Sequence, residues 1–431
     1  SAAGNAGGAG LDITEVFSTF LYSGTSADQT ITNNIDLSEG GLVWLKSRTT
    51  THAHYLFDTE RGFTSGAGNF ISSNSVNGEA NTGNFGVSSF NSDGFSLHDG
   101  WSGANQSGAN FASWTFRKAE KFFDVVTYTG NKTIRTISHN LGTTVGTIMI
   151  KDLQYGEWVV YHRSAGSTKY LVLNGTGAEQ TDSTYWNNTD PTDSVFTLGT
   201  AGGTNENGRP FVAYLFAHND SGDGGFGPDG DQDIIKCGTY TEAGSGAQEI
   251  NLGFEPQWIM VKPSSGAGDW WMYDTMRGQS YGGSNRLKAN VSDAEAAQAG
   301  YFAPTPNGFI ARLSGSAFFG SGVEVIYMAI RRGPLAPPEA GTEVFKPVLA
   351  TSTDAYSVGF ETDFALFNKL AGLSFNTIAT TRLQGGSKRL STATTAAETS
   401  STNVVEFDLQ DSFKQNILGS SPLIRYHWKR A

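Results

Sequence analysis

The sequence predicts an all-β chain, a tandem array of four β-sandwich (jelly-roll-like) domains joined by short linkers. Three observations lead there. The 431 residues are enough for two to four domains at ~100–200 residues each. The composition, with 54 glycines, 12% aromatic and only 16% charged residues, suits short strands joined by Gly, Asn, Asp and Ser turns better than long helices. Finally, four markers recur in the same order four times.

The first marker is an apolar run ending in lysine, Val43-Trp44-Leu45-Lys46 and Ile259-Met260-Val261-Lys262, followed twelve residues later by Asp-Thr-x-Arg-Gly. The latter comprises Asp58, Thr59, Arg61 and Gly62 in the first copy and Asp274, Thr275, Arg277 and Gly278 in the third. The second copy reads Ile148 to Lys151, then Trp158, Tyr161, His162 and Arg163; the fourth is the most diverged, with Phe364, Phe367, Asn368 and Thr380, Thr381, Arg382. The second marker is an aliphatic residue with Glu eight positions on: Ile71/Glu79, Leu171/Glu179, Leu287/Glu295 and Leu390/Glu398. The third is a polar turn before phenylalanine, at Phe95, Phe196, Phe309 and Phe413. The last is an apolar run ending in basic residues or histidine: Phe111 to Lys118, Phe211 to His218, Val325 to Arg332 and Leu423 to Arg430.

These markers place a flexible lead-in at 1–10, repeats at 11–119, 120–219, 234–333 and 342–431, a Gly/Asp-rich linker at 220–233 and a stiffer Pro-rich linker at 334–341. Each repeat opens on a β-rich segment such as Val125 to Thr129. A turn follows, Asn140-Leu141-Gly142 in repeat 2. The closing run is apolar on both faces, as in Val325 to Ile330, which suits a strand in the middle of a sheet. A unit of about a hundred residues can bury its own core, so 234–333 is expected to fold alone. One helix is expected, where Ser292-Asp293-Ala294-Glu295 forms a capping-box start into Ala296-Ala297-Gln298.

Lys and Arg number 29 against 41 Asp and Glu, a net charge of −12, which repels phosphate and argues against nucleic acid. The single cysteine, Cys237, excludes an internal disulfide framework and a Cys-based zinc site. No apolar run reaches ~18 residues, so no membrane insertion is expected.

Several groupings are candidates for chemistry. Asp58/Arg61 and Asp274/Arg277 could form active pairs, but their appearance in some copies and loss in others favours structural ion pairs. Glu79, Glu179, Glu295 and Glu398 could act as paired glycosidase carboxylates; one per repeat points to a repeated structural role. His52 and His54 could share a metal, though a solvated loop pair is the plainer reading. The linker sequence Asp229-x-Asp231-x-Asp233 sets three carboxylates at alternate positions, as calcium loops do; it lacks the bidentate Glu of an EF-hand, and a plain acidic linker is the alternative. Trp101, Trp158, Trp186, Trp270 and Trp271 lie beside Gly, Asn or acidic residues. Exposed, they would suit the faces of sugars, and they are the candidate glycan contacts.

The stretches Trp114 to Ala119, Phe122 to Gly130, Asp229 to Gly238 and Ala329 to Pro334 resemble repeats of marine bacteriophage and cyanophage virion proteins, which are tail- or fibre-like and largely uncharacterised. The resemblance spans 40–345 well and repeat 4 more weakly. It implies a virion (extracellular) setting and carries no catalytic residues over. The expected function is therefore non-enzymatic: a structural protein that assembles with copies of itself and other virion proteins and contacts a host surface glycan. Alternatives are a secreted bacterial adhesin or carbohydrate-binding array, and a polysaccharide depolymerase.

Overall fold

A computed structural model describes residues 10–429 apart from 65, 82, 84, 221, 223, 281, 282, 299, 313, 314, 316, 351–354, 370–376, 393, 401–404, 408–411 and 416–422. The chain is all-β, built from separate antiparallel sheets, and one strand order is repeated four times. In each large sheet the opening strand (Phe17–Ser23, Phe123–Thr129, Ile235–Thr241, Phe345–Ala350) pairs with the closing strand (Asn110–Arg117, Pro210–Ala217, Glu324–Arg331, Leu423–Trp428). The closing strand pairs in turn with a third strand (Gly41–Ser47, Val145–Asp152, Pro256–Pro263, Phe364–Lys369). A fourth strand follows (Tyr55–Asp58, Trp158–His162, Trp271–Asp274, Ile378–Thr381), then an arm that carries the marker glutamate.

A small sheet covers one face of each large sheet. In repeat 1 it is Gln29–Thr32, Gly94–Leu97 and Val87–Asn91; in repeat 2 it is Arg135–Ser138 with Val195–Leu198. The marker phenylalanines lie inside these sandwiches: Phe95 packs in one cluster with Phe57 and Phe111, Phe309 with Ile259 and Tyr273, and Phe413 with Phe367.

The other face of the large sheets in repeats 1–3 is not turned to solvent. Trp44, Trp114 and Phe116 of repeat 1, Met149, Tyr214 and Phe216 of repeat 2, and Trp258, Met260 and Met328 of repeat 3 belong to one continuous buried cluster. Phe116 lies 5.4 Å from Phe216 and 6.3 Å from Trp258, ring centre to ring centre. Three repeats thus meet face to face around a common core. This accounts for closing strands apolar on both sides: one face fills the sandwich and the other fills the centre. The linkers are tied to that body. Phe226 is 2% exposed within the central cluster, Gly10 and Leu11 bond the backbone of Gly227, and Leu335 N–H donates to Asp12 Oδ2 at 2.6 Å.

The helix expected over 292–298 is absent. Ala296–Gln298 is a strand paired with Ser284–Lys288. Glu295, which would have closed the capping box, instead gives its backbone N–H to Arg48 O at 2.8 Å and its carboxylate to Arg48 and Arg277. With those groups used across repeats, the local cap has no partner.

Candidate functional site

The two Asp/Arg pairs, three of the four marker glutamates and two of the tryptophans lie at the three seams between repeats 1, 2 and 3. Each arm reaches the next repeat around the ring. Glu79 N–H donates to Leu153 O at 2.7 Å, Glu179 N–H to Ser264 O at 2.7 Å, and Glu295 N–H to Arg48 O at 2.8 Å. Repeat 1 holds repeat 2, repeat 2 holds repeat 3, and repeat 3 holds repeat 1, so the set closes.

The ion pairs belong to the same seams. Arg61 Nε donates to Asp58 Oδ2 at 2.5 Å, Glu79 lies 3.3 Å away, and Tyr214 of repeat 2 donates its hydroxyl to Asp58 Oδ2 at 2.6 Å. Burial opposes the Arg61 charge, and Asp58, Tyr214 and Glu79 more than offset it, leaving its pKa raised. In repeat 3, Arg277 Nε meets Asp274 at 2.5 Å and its Nη1 meets Glu295 at 3.2 Å, while Trp114 of repeat 1 donates to Asp274 Oδ2 at 3.1 Å. Arg277 also stacks over the Trp114 ring at 5.4 Å. Trp114 and Tyr214 occupy equivalent positions in their closing strands. At the third seam the equivalent of Asp58 is His162, whose Nε2 lies 3.1 Å from Tyr327 O. Burial lowers its pKa to about 4, so the ring is neutral at pH 7 and serves as a hydrogen-bonding pin.

The repeated lysines are further pins. Lys151 Nζ donates to Val76 O at 3.0 Å and Lys262 Nζ to Thr176 O at 3.3 Å, each on the preceding repeat. Lys46 donates to Ser47 O and Thr50 O. Burial brings all three down to about 8. With their charges held by carbonyls and desolvated, they are built into the backbone rather than offered to a substrate.

Four of the five candidate glycan tryptophans are buried, contrary to the expectation of exposed rings. Trp158 is 0% exposed, Trp186 1%, Trp270 3% and Trp271 8%. Two are seam pins: Trp158 Nε1 donates to Ser72 O and Trp270 Nε1 to Val172 O, both at 2.9 Å. Trp186 Nε1 donates to Lys169 O within its own repeat. Trp271 packs on Phe318 and beneath Arg286 and Lys288. His54 is not solvated either: buried, it accepts from Trp44 Nε1 at 3.0 Å, while His52 lies 3.3 Å from Gln106.

Trp101 is the half-buried member, and it sits in an aromatic surface the sequence did not single out. Its ring centre lies 4.4 Å from Tyr55 and 5.2 Å from Phe70, and the exposed Phe85 lies against the neighbouring Gly100. Repeat 2 offers a counterpart, Tyr170 stacked on Tyr185 at 3.9 Å. A cleft of about 730 Å³ runs between repeats 3 and 4, lined by Asn285, Gln298, Arg382, Lys388, Glu406 and Phe407 among others. Asp229 and Asp231 are exposed and Asp233 is half-buried, its Oδ2 accepting from Gly222 N–H at 3.4 Å and 3.9 Å from Lys236. Among the described residues no group of three or more His, Cys, Asp or Glu is arranged to hold a metal; Asp223 lies outside them.

A family profile described as a domain of unknown function (DUF7483) matches residues 12–334. That span is the three-repeat ring together with its linker. No curated protein matches the chain.

Proposed function

The chain belongs to the DUF7483 family. We propose that it is a non-enzymatic structural protein of a bacteriophage virion, a tail, fibre or surface component that contacts a host glycan. One observation carries the reading. The candidate Asp/Arg pairs and three of the four candidate glutamates are consumed in holding repeats 1–3 together, as Asp58 is held by Arg61 and Tyr214. A closed body of this kind presents edges and loops to partners while its own chemistry stays buried.

Glycan contact is assigned to the half-buried rings around Trp101, and secondarily to Tyr170 and Tyr185, where flat aromatic faces adjoin polar backbone. Calcium at Asp229, Asp231 and Asp233 is part of the proposal, the carboxylates supplying hard oxygen ligands. The test has two parts. Purified particles are inventoried by mass spectrometry, with the chain expected in a fixed copy number. Host polysaccharide is then incubated with the isolated chain, with retention expected and no new reducing ends. Steady shortening of the polymer makes the protein a depolymerase. Absence from particles together with glycan retention makes it a secreted adhesin.

A further inference from the structure

Repeat 4 repeats the strand order of the other three but not their situation. Its closing strand places Tyr426 where repeats 1–3 have Trp114, Tyr214 and Met328, and Trp428 where they have Phe116, Phe216 and Ile330. Those six equivalents are between 0% and 2% exposed and fill the central core. On repeat 4 the same face stays open. Phe345, Phe364, Leu366, Tyr426 and Trp428 are all half-buried, and Leu349 is 63% exposed. The rings form a continuous ladder, Phe345–Trp428 at 5.0 Å, Phe364–Trp428 at 5.1 Å and Phe345–Tyr426 at 6.3 Å. Beside it lies an apolar hollow of about 310 Å³ lined by Phe364, Leu383 and Trp428. The arm glutamate, Glu398, is exposed and bonds only within its own repeat, to Gln384 and Lys388, among the contacts described.

We propose that this face of repeat 4 is an interface between copies of the chain, and that three copies pack their fourth repeats around a true threefold axis as repeats 1–3 pack within one chain. The occupant follows from the chain itself, because three times over this face is covered by the same face of a sister repeat. Three copies are needed because the internal arrangement closes at three, each seam heterologous and each arm reaching onward. The chemistry of the new seam differs in one respect. Thr381 stands where Asp58 and Asp274 stand, so Tyr426 would meet a neutral hydroxyl of the neighbouring copy, and apolar burial carries the contact. The inference goes beyond the virion reading and stands without it.

The test is the mass of the full chain in solution, by light scattering and sedimentation, for the wild type, Leu349→Glu and Trp428→Asp. The wild type is expected at three times the 46.0 kDa of one chain, and each variant at a threefold lower mass with an unchanged thermal transition for repeats 1–3. Leu349 is so exposed that its substitution leaves repeat 4 folded should Trp428→Asp unfold it. A chain carrying both Thr381→Cys and Tyr426→Cys is expected to give a covalent three-chain band on oxidation. A wild type of one-chain or two-chain mass, or a three-chain mass that survives both variants, overturns the proposal. Neither result touches the particle inventory or the polysaccharide assay.

Discussion

Replacing Arg277 by Ala tests whether the seams hold the ring together. Arg277 is 0% exposed and serves four partners at once: Asp274, Glu295, Met272 O and the face of Trp114. Removing it leaves the Asp274 carboxylate, itself 0% exposed, without its cation. Breaking a buried pair by deleting one partner costs about 3–5 kcal/mol, and the lost contact with Trp114 adds about 0.5–1 kcal/mol. Because Glu295 also bonds Arg48 of repeat 1, the loss should be felt across repeats rather than within repeat 3. The assay is urea unfolding followed by tryptophan fluorescence, with Lys132→Ala as the control. Lys132 pairs with Glu206 at 2.8 Å on the exposed surface, where such pairs contribute little. A midpoint for Arg277→Ala no lower than that of Lys132→Ala would refute the view that this seam stabilises the body.

Four further outcomes are expected. The fragment 10–335 should fold, whereas 234–333 alone should be insoluble or molten, because isolation bares Trp258, Met260, Met328 and Ile330; amide exchange of the two fragments decides. Stability should depend on pH in two windows. Burial lowers the folded pKa of both His54 and His162 below the ordinary 6.5, so their contribution is complete above about 6.5 and declines as pH falls below it, that of His162 being lost as pH passes through about 4. Lys46, Lys151 and Lys262 are brought by burial from 10.5 to about 8, so stability should climb again above pH 8; Lys151→Met should reduce that climb. EDTA should lower the melting temperature, and Asp231→Asn should abolish the effect, since a ligand held only by the native state adds ~2.7 kcal/mol at a hundredfold excess over Kd; no shift at millimolar calcium removes the metal from the proposal. Trp101→Ala should weaken retention on immobilised host glycan by tenfold or more while the chain stays folded by circular dichroism, and equal retention would move the glycan site elsewhere.

The repeats were legible because the seams recur. Asp58 and Asp274, and Glu79 and Glu295, keep their spacing because each meets an equivalent partner on the neighbouring repeat. What the spacing could not show was that the partner lies elsewhere in the chain. Trp114 and Asp274 are 160 residues apart, and no local pattern links them. The tryptophans failed as exposure signals for the same reason. Gly and acidic neighbours report that a ring begins a strand after a loop, not how deep it lies, and the carbonyls that receive Trp158 and Trp270 are 86 and 98 residues upstream.

Two-faced apolar strands carry a similar ambiguity. The large rings of Phe111 to Phe116 fall on both faces of the strand, and the pattern does not say what buries the second face. The structure separates the faces. Phe111 packs within its own sandwich and Trp114 within the shared centre. That distinction gives the divergence of repeat 4 a physical meaning. Its Asn368 in place of the lysine and Thr381 in place of the aspartate are losses at seam positions, while its sandwich interior, with Phe367 and Phe413, is kept. The rings of Tyr426 and Trp428 are kept as well, on the face where a lone domain would gain solubility from charge. A repeat that had merely drifted out of the ring would be expected to lose its apolar outer face along with its polar pins; losing only the pins is what a changed partner would select.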